Sequence, residues 1–519
     1  MKGILFLVAE NGALPNGKVG GVGDVVRELP LAFAERGLET AVLTPAYGML
    51  ASLPGARPLA TVKVRFGGVM DSVGLYEVPT DNGDVSHYVL DHPRFEPNGP
   101  GLIYCDDAAD APFATDASKF AFFTAAAAAV LRERALPGPR IIHLHDWPSA
   151  LFLVLREFDP AYASLKKVRT VFTIHNLALQ GIRPLDGNRS SLLVWFPWLE
   201  FDAKTVADPR WPDCVNPMAA AIRLADKINT VSPTYAKEIL KSNAPERGFN
   251  GGEGLEADLK NAHAHGRLVS ILNGCAYSLA KSRRPGWVRL LNVMRMETIR
   301  WIARERQVRS AHFLAQKQLE QLSSRRPSAL LTSVGRLAAQ KTQLFREQTA
   351  GGVSALEAIL AKLDDRALFI MLGSGDPDYE SFLTETAATR ANFLFLRGYS
   401  DELAQLLYRV GDLFLMPSSF EPCGISQMLA MRAGQLCVVH GVGGLKDTVS
   451  DGTTGFVFDG KTPRTQARNF VNKVTDALDL RRSSCARWRR MQQAAAAQRF
   501  TWEASAAAYE QKLYAIKNI

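Results

Sequence analysis

Short runs of consecutive apolar residues alternate along the chain with longer stretches in which apolar residues return every three or four positions. The runs Gly3–Val8, Thr40–Thr44, Arg140–His143, Val168–Ile174 and Lys227–Val231 predict one series of strands. Leu330–Val334, Leu368–Leu372, Phe393–Leu396, Leu413–Met416 and Leu436–His440 predict a second. A strand that is apolar at successive positions is covered on both faces, as in a parallel sheet. Alternation with helical patterns predicts α/β units with doubly wound parallel sheets. The Ala-rich stretch Phe120–Leu131 predicts a buried helix, too short to span a bilayer. The pattern divides the chain into an N-terminal domain over residues 1–270 and a second domain over 329–490. Residues 271–328 read as a connector, and 491–519 as a C-terminal helix that crosses back to the first domain. Two such sheets facing across a cleft would bind a ligand outside the carboxyl ends of their strands.

The 519 residues are 47% apolar and 22% charged, which excludes a largely disordered chain. The formal net charge is +9. Residues 281–326 hold 12 Lys or Arg against three acids, Glu297, Glu305 and Glu320, so that segment carries the whole excess. A basic balance suggests an anionic partner, but no nucleic-acid motif accompanies it. Neither a nucleic-acid nor a membrane partner is expected. Two readings of the charge stay open. Arg300, Arg304 and Lys317 lie at helical spacing among apolar residues, as on a solvated helix face. Alternatively, Arg283, Arg284 and Arg289 would concentrate an anionic substrate at the cleft. The six cysteines form no CxxC, so a reducing compartment, the cytoplasm, is expected rather than a disulfide framework or a zinc site. Glu10 ends the first apolar run, which reads as a buried strand rather than a signal peptide.

The chemistry-bearing residues follow the strands. Lys18-Val19-Gly20-Gly21-Val22-Gly23-Asp24 lies between the first strand and a helix, where free N–H groups and a cation suit an anion. His143-Leu144-His145-Asp146-Trp147 and Thr173-Ile174-His175-Asn176 end two further strands. The i, i+2 spacing of His143 and His145 puts them on one side of a strand, but no third metal ligand is apparent. Ser232 and Pro233 read as a helix N-cap and first residue. In the second half Arg336 and Lys341 follow a strand and suit a diphosphate. Glu421 lies at a strand end in Pro417-Ser418-Ser419-Phe420-Glu421-Pro422-Cys423-Gly424, and Gly441-Val442-Gly443-Gly444 opens another helix. Asp376-Pro377-Asp378 matches a DxD metal motif but reads as a turn. Glycine-rich helix starts, two cations and a carboxylate suit a nucleotide diphosphate carrying a polar moiety.

Taken in order, KVGGVGDVV, HLHDW, VFTIHNLALQG, TVSPTYAKEI, ILNG, GRLAAQK, LGSGDP, RGYSDE, PSSFEPCGISQ and GGLKDTV resemble the bacterial glycogen and plant starch synthases of glycosyltransferase family 5. The resemblance covers roughly residues 1–275 and 329–505. It implies a GT-B fold and transfer of glucose, with retention, from ADP-glucose to the non-reducing end of an α-1,4-glucan. No cofactor or metal is implied. Arg336 and Lys341 would stabilise charge on the departing ADP, Glu421 would hold the glucose hydroxyls, and His175 would lie beside the glucose. The resemblance assigns Lys18, Gly20, Gly21, Asn273, Tyr399, Cys423, Gly424, Gly443, Gly444, Leu445 and Thr448 to the donor. Asp24, His145 and Asp146 would serve the acceptor side. Cys423 reads as small packing within its motif.

The pattern is also departed from. Ser419 stands where the family usually has Arg, Thr342 and Ser270 where it has Gly, and CAYSLAKSRRPGW where it has an acidic stretch. Pro148 and Pro217 are further changes. Alternatives to an active synthase are a paralogue that binds glucan or nucleotide sugar with weak turnover, or a transferase with another donor or acceptor sugar.

Overall fold

The computed structural model describes residues 3–81, 83–277, 285–305, 309–349 and 351–515. The chain forms two units. Met1–Asn243, Gly251–Ala276 and Thr501–Ile519 make the first, and Ala244–Asn250 and Tyr277–Phe500 the second.

The first unit is built on a nine-stranded sheet. Its strands run, edge to edge, Leu268–Ser270, Lys227–Thr230, Arg169–Ile174, Ile141–His145, Ile4–Leu7, Thr40–Pro45, Val85–Asp91, Val69–Glu77 and Arg57–Phe66. Ile4 pairs with Thr40 on one side and Ile141 on the other, both in parallel register. The strand order therefore reverses at Ile4–Leu7, and a ligand crevice opens at such a reversal. The expectation of an all-parallel sheet is corrected at one edge. Val69–Glu77 runs antiparallel to both its neighbours. In Arg57–Phe66, Val62, Val64 and Phe66 are buried while the residues between them are exposed. A search for continuous apolar runs passes over such an alternating strand.

The second unit carries six parallel strands in the order Phe393–Arg397, Leu368–Gly373, Leu330–Val334, Leu413–Met416, Leu436–His440 and Phe456–Phe458. Its order reverses between Leu330–Val334 and Leu413–Met416.

The connector expected over 271–328 is not a separate element. The described part forms the helices Trp287–Arg304 and Ser310–Gln321. Trp287, Leu290, Leu291, Met294, Trp301, Ala315 and Leu319 join the core of the second unit. The last part of the chain divides as well. The helix Cys485–Ala497 belongs to the second unit. The helix Trp502–Tyr509 and the turn Glu510–Tyr514 belong to the first, packed with Val25, Leu29, Phe33 and Ile271. Phe120–Leu131 lies inside the buried helix Ala114–Arg132, as expected. Among the described residues no helix is long and apolar enough to cross a membrane.

Candidate active site

In the first unit the loop after Ile4–Leu7 closes on the buried Glu10. Its Oε2 accepts the N–H groups of Val19 at 2.8 Å and Gly20 at 2.6 Å, and Tyr104 donates to its Oε1 at 3.1 Å. The helix Gly21–Ala34 therefore starts beside a carboxylate of the chain itself. The expectation of free N–H groups at this glycine loop is corrected for Val19 and Gly20. A Cβ on Gly21 would meet nothing within 4 Å, so this residue stays open to a ligand. Lys18 Nζ lies 2.7 Å from Asp24 Oδ1, which also lies 3.2 Å from Arg27 Nη2. The residues assigned to donor and acceptor sides here form one ion pair.

The strands Ile141–His145 and Arg169–Ile174 lie side by side, which brings His143, His145 and His175 together. The rings of His143 and His145 lie 4.3 Å apart between centres, tilted by 32°, and His145 and His175 stack at 5.1 Å. His145 Nδ1 and His175 Nε2 are 2.8 Å apart, a hydrogen bond. A third histidine is thus present, unseen in the sequence spacing, yet this contact leaves no room for an ion between the two nitrogens. Among the described residues no cluster of His, Cys, Asp or Glu could hold a metal. His143 bonds Tyr514 Oη and Thr173 Oγ1, each at 2.7 Å. Burial pushes His143 and His145 well below the usual histidine range and His175 down to about 3, so all three rings are neutral.

Asp146 sits at the start of the helix Asp146–Phe158 with φ +53°, in the left-handed region. That turn aims its Oδ1 at the backbone N–H of His175, 2.7 Å away, and of Asn176, 3.4 Å away. Burial pushes the carboxyl up to about 7 against the pull of those N–H groups, and Glu10 adds to the rise. Asn273 is buried after the strand Leu268–Ser270, with its Oδ1 unpartnered among the described residues.

The second unit gathers its residues at its own strand reversal. Arg336 is exposed after Leu330–Val334 and makes no ion pair among the described residues. Lys341, in the helix Ala339–Arg346, places Nζ 3.2 Å from Glu421 Oε2. Ser418 donates to the same oxygen at 2.9 Å. Glu421 is only 5% exposed, so the ammonium and hydroxyl are what make its burial tolerable. Its Oε1 makes no hydrogen bond among the described residues.

The helix Gly443–Thr448 braces the backbone of Glu421. Gly443 has φ +43°, and a Cβ there would lie 1.9 Å from the Glu421 carbonyl oxygen. Gly444 N–H donates to that oxygen at 3.0 Å, and Leu445 N–H to Val442 at 3.1 Å. These two N–H groups, expected to face the donor, bond within the unit instead. Thr448 is likewise a buried link, donating to Gly444 at 2.7 Å and accepting from Gln427 at 3.1 Å. Gln427 also donates to Gly424 at 2.6 Å. Cys423 is partly buried beside Gly424, and Tyr399, 52% exposed, donates to Asp401 at 2.7 Å.

The departures find simple places. Ser419 bonds Gln340 through its N–H at 2.9 Å and its hydroxyl at 3.2 Å, while Gln340 donates to Phe420 at 2.7 Å. A serine thus zips the Glu421 loop to the Lys341 helix. Thr342 is fully buried in that helix with its hydroxyl unpartnered among the described residues. Pro148 and Pro217 stand in first helical turns, where a missing N–H removes no helix bond. Ser232 and Asp376 are helix N-caps.

Glu10, Ser418, Gln340, Tyr509 and Tyr514 support the site without having been singled out. Glu10 carried a signal, being an acid at the end of a buried strand. The tyrosines carried none, because they reach the site from the far end of the chain.

Comparisons with known proteins show the family of the chain. A family model described as the starch synthase catalytic domain matches residues 3–261, and one described as glycosyl transferases group 1 matches 316–495. The chain is 36% identical to a glycogen synthase of Anaeromyxobacter dehalogenans (strain 2CP-C), over 98% of both chains. It is 32% identical to a glycogen synthase of Streptococcus equi subsp. equi, again over 98% of each. The catalytic domain of Starch Synthase IV from Arabidopsis thaliana, bound to ADP and acarbose, superimposes with a TM-score of 0.75 at 26% identity, covering 99% of this chain and 98% of that one. A sucrose-phosphate synthase from Thermosynechococcus elongatus shares the fold, with a TM-score of 0.57 at 16% identity over the whole of both chains. The two Rossmann-like units are those of the GT-B class. On its sequence and its fold, the chain belongs to the glycogen and starch synthase family of glucosyltransferases.

Proposed function

We propose that the protein transfers glucose from ADP-glucose to the non-reducing end of an α-1,4-glucan, with retention and without a metal. The group that carries this reading is Arg336, Lys341 and Glu421 at the strand reversal of the second unit. When the bond between the glucosyl carbon and the diphosphate oxygen breaks, its electron pair goes to the leaving ADP. Arg336, exposed and unpaired among the described residues, meets that charge. Lys341 both meets it and pairs with Glu421 at 3.2 Å. The free Oε1 of Glu421 accepts sugar hydroxyls and faces the positive charge that develops on the glucosyl ring. The acceptor's hydroxyl oxygen forms the new bond, and its proton leaves with the diphosphate. Gly21, Asn273 and Tyr399 are proposed donor contacts, and His145 and Asp146 hold His175, which is proposed to lie beside the glucose. The six free cysteines support a reducing, cytoplasmic setting. The likeness to a starch synthase bound to ADP supports the adenine nucleotide.

The test is nucleotide release. The protein is mixed with glycogen and ADP-glucose, or with UDP-glucose, beside a Glu421→Ala control. ADP release far above the control, and faster than UDP release, is expected. No release above the control while glycogen still binds would replace the synthase reading with a glucan-binding one. Faster UDP release would overturn the donor.

A further inference from the structure

Behind the proposed reaction lies a buried stack of rings whose end is unaccounted for. Phe6, His143, His145 and His175 lie in succession, with His145 1% exposed and His143 fully buried. His145 Nδ1 bonds His175 Nε2 at 2.8 Å. Both rings are neutral, so a single proton lies in that bond, on one ring or the other. The other nitrogen of His145 decides which. His145 Nε2 is sealed from solvent and has no partner among the described residues. Were the proton there, a buried N–H would be left without an acceptor, the rarer and costlier of the two orphans. An unused lone pair is the lesser loss. His145 therefore carries its proton on Nδ1 and donates it to His175 Nε2. That leaves His175 with its own proton on Nδ1. This nitrogen is neither hydrogen-bonded among the described residues nor sealed from solvent.

We infer that His145 is a positioning residue that fixes His175 as the Nδ1–H tautomer, so that its open edge presents a hydrogen-bond donor to the sugar. The inference rests on the proposed transfer reaction only for the word sugar, since the tautomer belongs to the free protein. The ring stack is held from the far side by the end of the chain. Tyr514 Oη bonds His143 Nδ1 at 2.7 Å, and Thr173 bonds its other nitrogen. Asn229 donates to Tyr509 Oη at 2.7 Å and to Thr173 at 3.4 Å. Two tyrosines of one C-terminal segment thus extend a buried polar network under the histidines. Asp146 fixes the backbone of His175 on the other side.

Long-range ¹⁵N–¹H correlation on histidine-labelled protein, with His175 assigned by loss of its signals in His175→Gln, reads the tautomer directly. The expected result is a protonated Nδ1 and an unprotonated Nε2 on His175. In His145→Phe, which keeps the stack but removes the donor, that tautomer should be lost. The kcat for ADP-glucose should then fall roughly tenfold, the scale of one hydrogen bond to the reacting group. The KM for glucan should hold. His145→Asn places an amide N–H near the lost Nδ1 and should restore most of both readouts. A protonated Nε2 on His175 in the unaltered protein would overturn the inference. So would a His145→Phe variant with unchanged spectrum and kcat. Should the protein release no nucleotide at all, the transfer reading fails while the spectrum still decides the tautomer.

Discussion

Lys341 and Glu421 hold each other at 3.2 Å, whereas Arg336 stands exposed with no ion pair among the described residues. That difference separates catalysis from stability. Arg336→Ala removes no structural contact, so stability should stay within about 0.5 kcal/mol, while the rate falls on the order of 10²–10³. Lys341→Ala should lower the rate as much and also destabilise the second unit, because among the described residues the Glu421 carboxylate then keeps only Ser418. Thermal unfolding beside initial rates tells the two apart. Asp146 gives a pH signature. Its carboxyl is raised to about 7 in the fold, mainly by burial, from an ordinary value near 3.8. Between those values the folded chain binds more of this proton than the unfolded chain. The contribution of Asp146 to stability therefore falls as pH rises from about 4 to about 7. Asp146→Asn should remove that component. Urea midpoints measured across the window should show the variant gaining on the unaltered protein as pH rises. Much of this chemistry was legible residue by residue, since Glu421, Lys341 and His175 follow strands in order. Glu10 was legible only as an acid ending a buried strand, because its partners are backbone N–H groups nine and ten positions away that no side-chain pattern marks.

Among the elements, the helix Gly443–Thr448 is the clearest case of backbone shaping a site. Its glycines let the helix touch the Glu421 peptide, where a side chain would collide. Gly443→Ala should cost about 1–3 kcal/mol through its positive φ, more with the collision, and should lower kcat by displacing Glu421. Chemical denaturation and initial rates check both. The helix Trp287–Arg304 is set by burial rather than by charge. Trp301 is buried in the second core and lies where a Cβ on Gly398 would come within 2.7 Å of its ring. Trp301→Ala should cost about 3–5 kcal/mol, read from the denaturation midpoint. The sequence pattern predicted the parallel strands well because they are apolar at successive positions. It missed Arg57–Phe66 and its neighbour because their alternating faces are half solvated, and it also passed over the parallel-paired strands Val85–Asp91, Leu268–Ser270 and Phe456–Phe458. It set the basic helices apart because the local excess of Lys and Arg masks the buried apolar stripe that holds them down.

For the molecule as a whole, the described part of the basic excess lies largely on exposed helix faces. Arg289 is exposed beside Glu402 at 3.4 Å, Arg300 pairs with Glu297, and Arg304 and Lys317 are exposed. Arg283 and Arg284 lie outside the described residues. The helices these charges decorate are anchored by the opposite, buried face. The combined variant Arg289→Gln, Arg300→Gln, Lys317→Gln should therefore leave the donor KM unchanged at low salt. A KM that rises at low salt and recovers at high salt would restore the steering role. Each unit otherwise follows one rule, a buried strand where the order reverses and reactive side chains on the loops beyond it. The most direct measurement follows the sugar itself. Glycogen is incubated with ADP-glucose carrying labelled glucose, then digested with an exo-acting enzyme that releases maltose from α-1,4 non-reducing ends. Label incorporated by the unaltered protein, absent with Glu421→Ala and released entirely in the early maltose, is the expected result. Unlabelled glycogen, or label that the exo-acting enzyme cannot release, would contradict the account.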